Sequence, residues 1–434
     1  MKKALAAILA MLILLAGTAS AEIWTLTELD VIWGEPIGVS PDGSTMLFRD
    51  HDGLFVLRNG EIKAIKPNYE RGVEDTYGNF EKIVRSFDKL TYRFDSAGVV
   101  WSPDGRYFTL TYWQHLTMGQ FFFDPVIFDA ETGEYFLAST DGNHVTRSSA
   151  SAVENACFDE SGKYFDYVRF GNHVESRETL ERYNLESGET TRLAELSPRL
   201  SRPGMMRLDE KRYLMISISR EDTSATPGVL TLLEEKQSLF GGKNWKETTF
   251  AFSTPYGRLR TYKLLAQPDT KYALICAAGW IDPENSKNSI GLLFRINVNK
   301  NMDGIDECIY IDAPNAETAS TFTVSAESNE ALAERFDALY TGGVSIENAA
   351  LSPDGTHALL LLRNQRKEEY SFAMLDMETL ALSQIPFSDF SLYRCTPGDV
   401  SGAFAPAMQW VQDDQVLLYS GSGVRLYQIE CAAD

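Results

Sequence analysis

Large and polar side chains alternate along much of this chain with a period of two, and the alternating runs are short. In residues 100–113, VWSPDGRYFTLTYW, the side chains of Phe108, Leu110 and Tyr112 share one side and those of Tyr107, Thr109, Thr111 and Trp113 the other. That period, carried by β-branched and aromatic residues, predicts strands rather than helices. Between the runs lies Ser102-Pro103-Asp104-Gly105. Pro103 presets φ for the second position of a β-turn, Asp104 suits the third, and Gly105 tolerates positive φ where the next strand begins. Ser102 can bond back to the turn backbone. The phrase predicts a β-hairpin.

The same phrase recurs. Copies aligned on the turn glycine fall at Gly43, Gly105, Gly162, Lys211, Thr270, Gly355 and Asp414, in steps of 62, 57, 49, 59, 85 and 59 residues. A second hairpin signal follows several copies: VIFDAETGEYFLA at 126–138, RYNLESGETTRLA at 182–194 and AMLDMETLALSQI at 373–385. Each unit thus holds four strands, A to D, with a Ser-Pro-Asp-Gly turn closing A–B and a Glu-Thr-Gly turn closing C–D. Four-stranded units repeated in a row bury their faces against one another as the blades of a β-propeller. The predicted fold is all-β: a single propeller of seven blades, each of four antiparallel strands. The last unit runs out after three strands, and EIWTLTEL (22–29) alternates like a strand ahead of the first unit. This segment is expected to pair with 424–429 and complete the last blade, removing two open edges.

The repeated SPDG phrase, followed by an alternating strand and then D-x-E-T-G-E, resembles the TolB-type propeller repeat, a relative of the WD-repeat and YVTN propellers. The resemblance covers nearly all of the chain after its first residues and implies the fold. Its function is left open, since that superfamily includes scaffolds, receptors, lyases and the propeller halves of peptidases. TolB itself carries an α/β domain ahead of its propeller, whereas here the propeller repeats begin directly, so TolB's partners do not carry over.

Composition narrows the class. Lys2 and Lys3, an apolar run from Ala4 to Ala16 and Thr18-Ala19-Ser20-Ala21 read as a secretory signal over 1–21, cut after Ala21. The run is shorter than the roughly 20 apolar residues of a membrane span. The expected product is a secreted or otherwise extracytoplasmic monomer, its propeller domain over 22–434, with no membrane span. Formal net charge is −21, and −23 once Lys2 and Lys3 leave with the signal. Such a field disfavours nucleic acid and anionic lipid surfaces as partners. Five scattered cysteines with no C-x-x-C exclude a disulfide scaffold and the common zinc motifs. Cys157 and Cys276 are expected to be buried thiols, and Cys395–Cys431 is the pair expected if any bond forms. The longest step contains SAESNEALAERFDALYTGG, 325–343, where Ser328 as cap, an apolar face of Leu332, Phe336 and Leu339, and Gly342 as stop predict a helix near 328–340.

Ready-made catalytic signatures are missing: no G-x-S-x-G, H-E-x-x-H, Walker A or Rossmann fingerprint occurs. The serine of each SPDG recurs where only a turn is needed, so it reads as structural. Two weaker constellations remain. In NVNKNMDGIDE (297–307), Asn299, Asn301 and Asp303 mimic the start of a calcium loop, but position twelve is Tyr310 and the bidentate carboxylate is lacking. A solvated C–D turn is the alternative. Of five histidines, His51, His115 and His173 each follow strand B of blades one, two and three, near Asp50, Asp52 and Glu175. They form either a divalent-metal site on the B–C face or separate exposed loop residues. Arg363 and Arg366, placed after strand B of blade six, are candidates for attracting an anionic ligand. Two functional classes follow: a non-enzymatic binding module for a protein or carbohydrate ligand, favoured by the lack of catalytic motifs, and a metal-assisted polysaccharide lyase or hydrolase.

Overall fold

The computed structural model describes the strands and their tight turns: residues 26–28, 35–50, 53–68, 99–110, 121–122, 126–138, 145–146, 156–169, 178–196, 201–218, 228–237, 243–252, 259–265, 270–280, 289–298, 307–311, 316, 318–323, 334, 344–364, 369–385, 408–412, 415–420 and 423–429. Seven sheets of four or five strands follow one another along the chain, as the repeat predicts. Blade one comprises Glu35–Val39, Thr45–Asp50, Gly53–Arg58 and Glu61–Ala64. In blade two these become Val99–Trp101, Tyr107–Leu110, Val126–Asp129 and Glu134–Leu137, and in blade three Ala156–Phe158, Tyr164–Arg169, Glu178–Asn184 and Thr190–Leu196. Blade four has Ser201–Asp209, Arg212–Ile218, Gly228–Gln237 and Lys243–Phe252; blade five has Leu259–Leu265, Tyr272–Trp280, Ser289–Asn297 and Glu307–Tyr310. Blade six has Val344–Leu351, His357–Asn364, Glu369–Asp376 and Leu382–Ile385, and blade seven Met408–Gln412, Gln415–Ser420 and Gly423–Gln428.

The N-terminal strand Leu26–Glu28 completes blade seven, with Leu26 opposite Tyr427, Thr27 opposite Leu426 and Glu28 opposite Arg425. The ring is therefore closed by both ends of the described chain. Two blades carry a fifth strand that the repeat did not foretell. Lys66–Pro67 runs on from blade one to lie parallel to blade two's outer strand, and Ser320–Thr323 lies outside Glu307–Tyr310 in blade five. The expected long connection of 67–98 thus opens by joining the next blade; 69–98 lie outside the described residues. So does the helix expected near 328–340, apart from Glu334, and so do the signal over 1–21, Cys395 and Cys431.

The SPDG turns show why the motif recurs. The Ser40, Ser102 and Ser352 hydroxyls donate to Asp42, Asp104 and Asp354 at 2.6–2.7 Å. Each also accepts the backbone N–H five residues on, at 2.8–3.0 Å. All three serines are buried, and Gly43, Gly105 and Gly355 have φ of 63–72°. In the third copy the groups trade places. Asp159 stands at the serine position, accepts the Tyr164 N–H at 2.7 Å and takes the Ser161 hydroxyl.

Core lies between blades. Phe108 is fully buried, with Trp101 and Phe128 each 4.8 Å away by ring centroid, in a cluster that reaches from Leu47 of blade one to Phe165 of blade three. Equivalent clusters join blades three to four, five to six and six to seven. Strand A is innermost: the A strands of blades two, three, four and five touch in succession, as do those of six and seven. Gly38 marks one close approach, since a Cβ there would sit 3.3 Å from Val99.

Candidate functional site

The topology gives the disk two unlike faces, because A–B and C–D turns must emerge on one side and B–C and D–A connections on the other. On the turn face many described polar groups bond within their own turn, and several reach the next blade. Thr45 donates to the Gly105 carbonyl of the next blade at 2.8 Å, and Arg58 reaches the Asp104 carbonyl at 3.2 Å. Arg212 donates to the Val298 carbonyl at 2.7 Å, Arg295 to the Met377 carbonyl, and Lys271 pairs with Glu378. Arg106 and Asp129 form an ion pair within blade two at 3.1 Å. The turns themselves interlock: a Cβ on Gly105 would come within 2.6 Å of Ser40, and one on Gly355 within 2.4 Å of Thr270.

A deeper charged group lies between blades three and four. Asp166, fully buried, accepts from Arg182 Nε at 2.7 Å and Nη2 at 2.9 Å, and from the Tyr213 hydroxyl at 2.5 Å. The Asp166 hydrogen bonds hold the Arg182 guanidinium protonated well beyond its ordinary range, and burial beside Asp166 does the same for the Tyr213 phenol. Opposite Asp166 stands Cys157, whose thiol is pushed far up by burial and by that carboxylate. With Asp166 fully enclosed and matched in charge by Arg182, this group is an inter-blade fastening.

The other face begins where strand A starts and strand B ends. Near the middle of blade six's innermost strand Glu347 occupies a β-bulge, between Ile346 and Asn348. Bulges re-aim a side chain out of the strand's alternation. Burial raises the Glu347 pKa, against the pull of the Ser345 hydroxyl, which donates to it at 2.6 Å, and of the Arg363 charge. Ser345 lies opposite Arg363, and Arg363 opposite Tyr370, with its guanidinium 6.0 Å from the Tyr370 ring centre. The arrangement holds a carboxyl that takes up a proton more readily than a free glutamate, beside a guanidinium, at the inner edge of the disk.

Arg363 is therefore the penultimate residue of strand B and half-buried, not a loop residue beyond the strand. The strand runs two residues further than its apolar core suggests because Arg363 and Asn364 still pair with Tyr370 and Glu369. Arg366 lies outside the described residues, as do His51, His115 and His173, which belong to the B–C connections of blades one, two and three. Asn299, Asn301 and Asp303 fall outside them too, in the C–D connection of blade five, between Asn297 and Glu307. Among the described residues no group of three or more His, Cys, Asp or Glu could hold a metal. Glu347 was not foreseen, although two polar residues in succession, Glu347-Asn348, interrupt the alternation of VSIENAAL. The connections on this face also build structure of their own: Phe121–Phe122, from blade two's B–C connection, pairs with Val145–Thr146 of the link to blade three.

No family model and no curated protein matches the chain. Solved structures do resemble it at low identity. The propeller domain of the trilobed protease from Pyrococcus furiosus is 11% identical with a TM-score of 0.44, over 95% of each chain. An oligogalacturonate lyase in complex with manganese is 11% identical with a TM-score of 0.47, over 94% of this chain and 91% of that one. An oligogalacturonate lyase from Vibrio parahaemolyticus is 9% identical with a TM-score of 0.43, over 96% of this chain and 100% of that one. All are similar to this chain in being propellers, and at these scores the likeness extends no further.

Proposed function

We propose that the protein is an exported binding module that holds a protein or glycan ligand on the face formed by its B–C and D–A connections. The observation that carries this reading is the asymmetry of the faces. Described turn-face arginines and turn hydroxyls bond their own blade or the next one, whereas the longest connections leave from the opposite side, among them 111–125, 139–155 and 386–407. Loops on a rigid scaffold are where binding groups are usually mounted. Arg363 stands at the end of strand B from which this face's connections leave. Comparing ligand retention by Arg58→Gln, on the turn face, with Arg363→Gln, on the other, tests the assignment. Loss in the second alone supports it, and equal loss in both counts against it.

A second reading, metal-assisted cleavage of a polysaccharide, rests on one topological fact. The B–C connections of three consecutive blades, each with one histidine (His51, His115, His173), leave the same face. A bound divalent ion would need imidazole nitrogens at about 2.1 Å. Metal analysis of the purified protein separates the readings, since a stoichiometric ion lost in the His51→Ala, His115→Ala, His173→Ala triple variant would favour the enzyme.

A further inference from the structure

The bulge in blade six changes which residues face which neighbour. Ahead of it, Val344 and Ile346 pack with blade five; beyond it Ala349 and Leu351 do so, and Ala350 packs with blade seven. The two stretches of alternation are joined by one added residue, Glu347, which belongs to neither apolar cluster. Glu347 is only half-buried, although burial is the largest influence on its carboxyl. A side chain crowded by protein and still open to solvent borders an internal space, and on the innermost strand that space is the central channel. Among the described residues its carboxylate takes one hydrogen bond, from the Ser345 hydroxyl at 2.6 Å, and enters no ion pair. Arg363 acts on it through charge alone and is engaged elsewhere, its guanidinium 6.0 Å from the Tyr370 ring centre. The other strands packed against Val344–Leu351 add little charge near it. MQWVQ of blade seven has no titratable side chain, and His357 stands at the turn end of strand B. In blade five Arg295 and Glu307 pair with each other, and Tyr272, Cys276, Cys308 and Tyr310 complete the titratable set.

We propose that the central channel binds the ammonium group of a small organic ligand at Glu347, with the carboxylate and the channel-side carbonyls of Val344–Leu351 as acceptors. This site goes beyond the binding face described above and does not depend on it. An ammonium carries three donors and no acceptor. That suits a carboxylate beside strand A, which stands at the end of its sheet and so has one edge without a ladder among the described residues. The chain's net charge of −21 draws cations toward such a group. A hard divalent ion fits less well. It takes about six to eight oxygens, and among the described residues no group of metal-ligating side chains includes Glu347. Pairing with an ammonium also lets the crowded carboxylate hold its charge at lower cost. Proton and ammonium therefore compete for the same oxygen atoms, and binding displaces the proton that burial favours.

Calorimetric titration of the full chain with diaminobutane, and with butanediol as its uncharged counterpart, tests this at fixed ionic strength. Wild type should bind the diamine at a single site at neutral pH and should not bind the diol. Affinity should fall as pH is lowered through the raised pKa of Glu347, because the protonated carboxyl no longer attracts a cation. Glu347→Gln should weaken binding at least about tenfold at neutral pH, the worth of one charge-assisted hydrogen bond, and should remove that pH dependence. Glu347→Asp, which keeps the charge, should retain part of the affinity. Glu61→Gln removes an exposed charge from the rim and should bind as wild type. Equal weakening in Glu61→Gln would assign the binding to the diffuse acidic field and overturn the proposal. Equal affinity for the diol, or no saturable binding of the diamine, would overturn it as well.

Discussion

Substituting alanine for glycine at three positions with φ near 70° separates backbone strain from blade interlocking. Gly60 has φ of 77° and nothing within 4 Å of an added Cβ. Gly105, at 63°, would place that carbon 2.6 Å from Ser40 and 2.7 Å from Asp42 of the preceding blade. Gly355, at 69°, would place it 2.4 Å from the Thr270 methyl and 2.7 Å from its Cβ. Left-handed backbone costs an L-residue about 1–2 kcal/mol, and the stiffer unfolded chain returns about 0.4–1. Gly60→Ala should therefore destabilise by about 1 kcal/mol or less. At Gly105 and Gly355 the overlap adds about 1–3 kcal/mol, the usual cost of overpacking, for a total near 3. Urea unfolding followed by tryptophan fluorescence reads these as midpoint shifts, provided the slope is unchanged. Thr270→Gly combined with Gly355→Ala should recover much of the second loss, since both contacts under 3 Å are to that side chain. Equal costs at all three glycines would refute the idea that the turns lock blade to blade.

Other consequences can be checked alongside. Deleting residues 22–30 removes the strand that closes blade seven, so the melting temperature should fall and the protein should self-associate through the bared edge of Gly423–Gln428; an unchanged melt would contradict the closure. Asp166→Ala should cost about 3–5 kcal/mol, since it strands the Arg182 charge between blades, and a loss under 1 kcal/mol would show the fastening to be idle. Asp42 and Asp354 are held below the ordinary carboxylate range: burial would raise them, but the hydroxyls of Ser40 and Ser44, and of Ser352 and Thr356, with turn N–H groups, outweigh it. Their stabilisation is complete above the unfolded value near 3.8 and is lost as pH falls through the lower folded values, so paired Asp→Asn variants should flatten acid unfolding below pH 4. Glu347 has the opposite sign: its folded pKa is raised, so ionisation opposes folding at neutral pH, and Glu347→Gln should raise the melting temperature there but not in acid. An equal effect at both pH values would remove burial of the charge as its cause.

The blades were legible in the sequence because the features that define them are local. Ser, Pro, Asp and Gly make each turn from bonds spanning five residues, so the pattern survives in the chain as written. Ring closure was legible by subtraction, from a strand too many at one end and one too few at the other. What escaped depends on neighbours distant in sequence. Asp166, Arg182 and Tyr213 stand in different strands of two blades, and nothing in YFDYVR or LERYN announces their meeting. The fifth strand at Lys66–Pro67 is a ladder formed on the edge of the next blade. Glu347 left only a doubled polar step. Arg363 was assigned to a loop because the apolar run ends at Leu362, although the ladder continues through Asn364.

Holding a ligand without transforming it is the central claim, and polysaccharide recovered after incubation with the purified chain tests it most directly. Carbohydrates retained by the protein would be eluted and sized, with and without chelator. The account predicts retention with chain length unchanged and no effect of the chelator. Shortened polymer carrying unsaturated ends, its formation abolished by chelator, would contradict it and establish the metal-assisted enzyme instead.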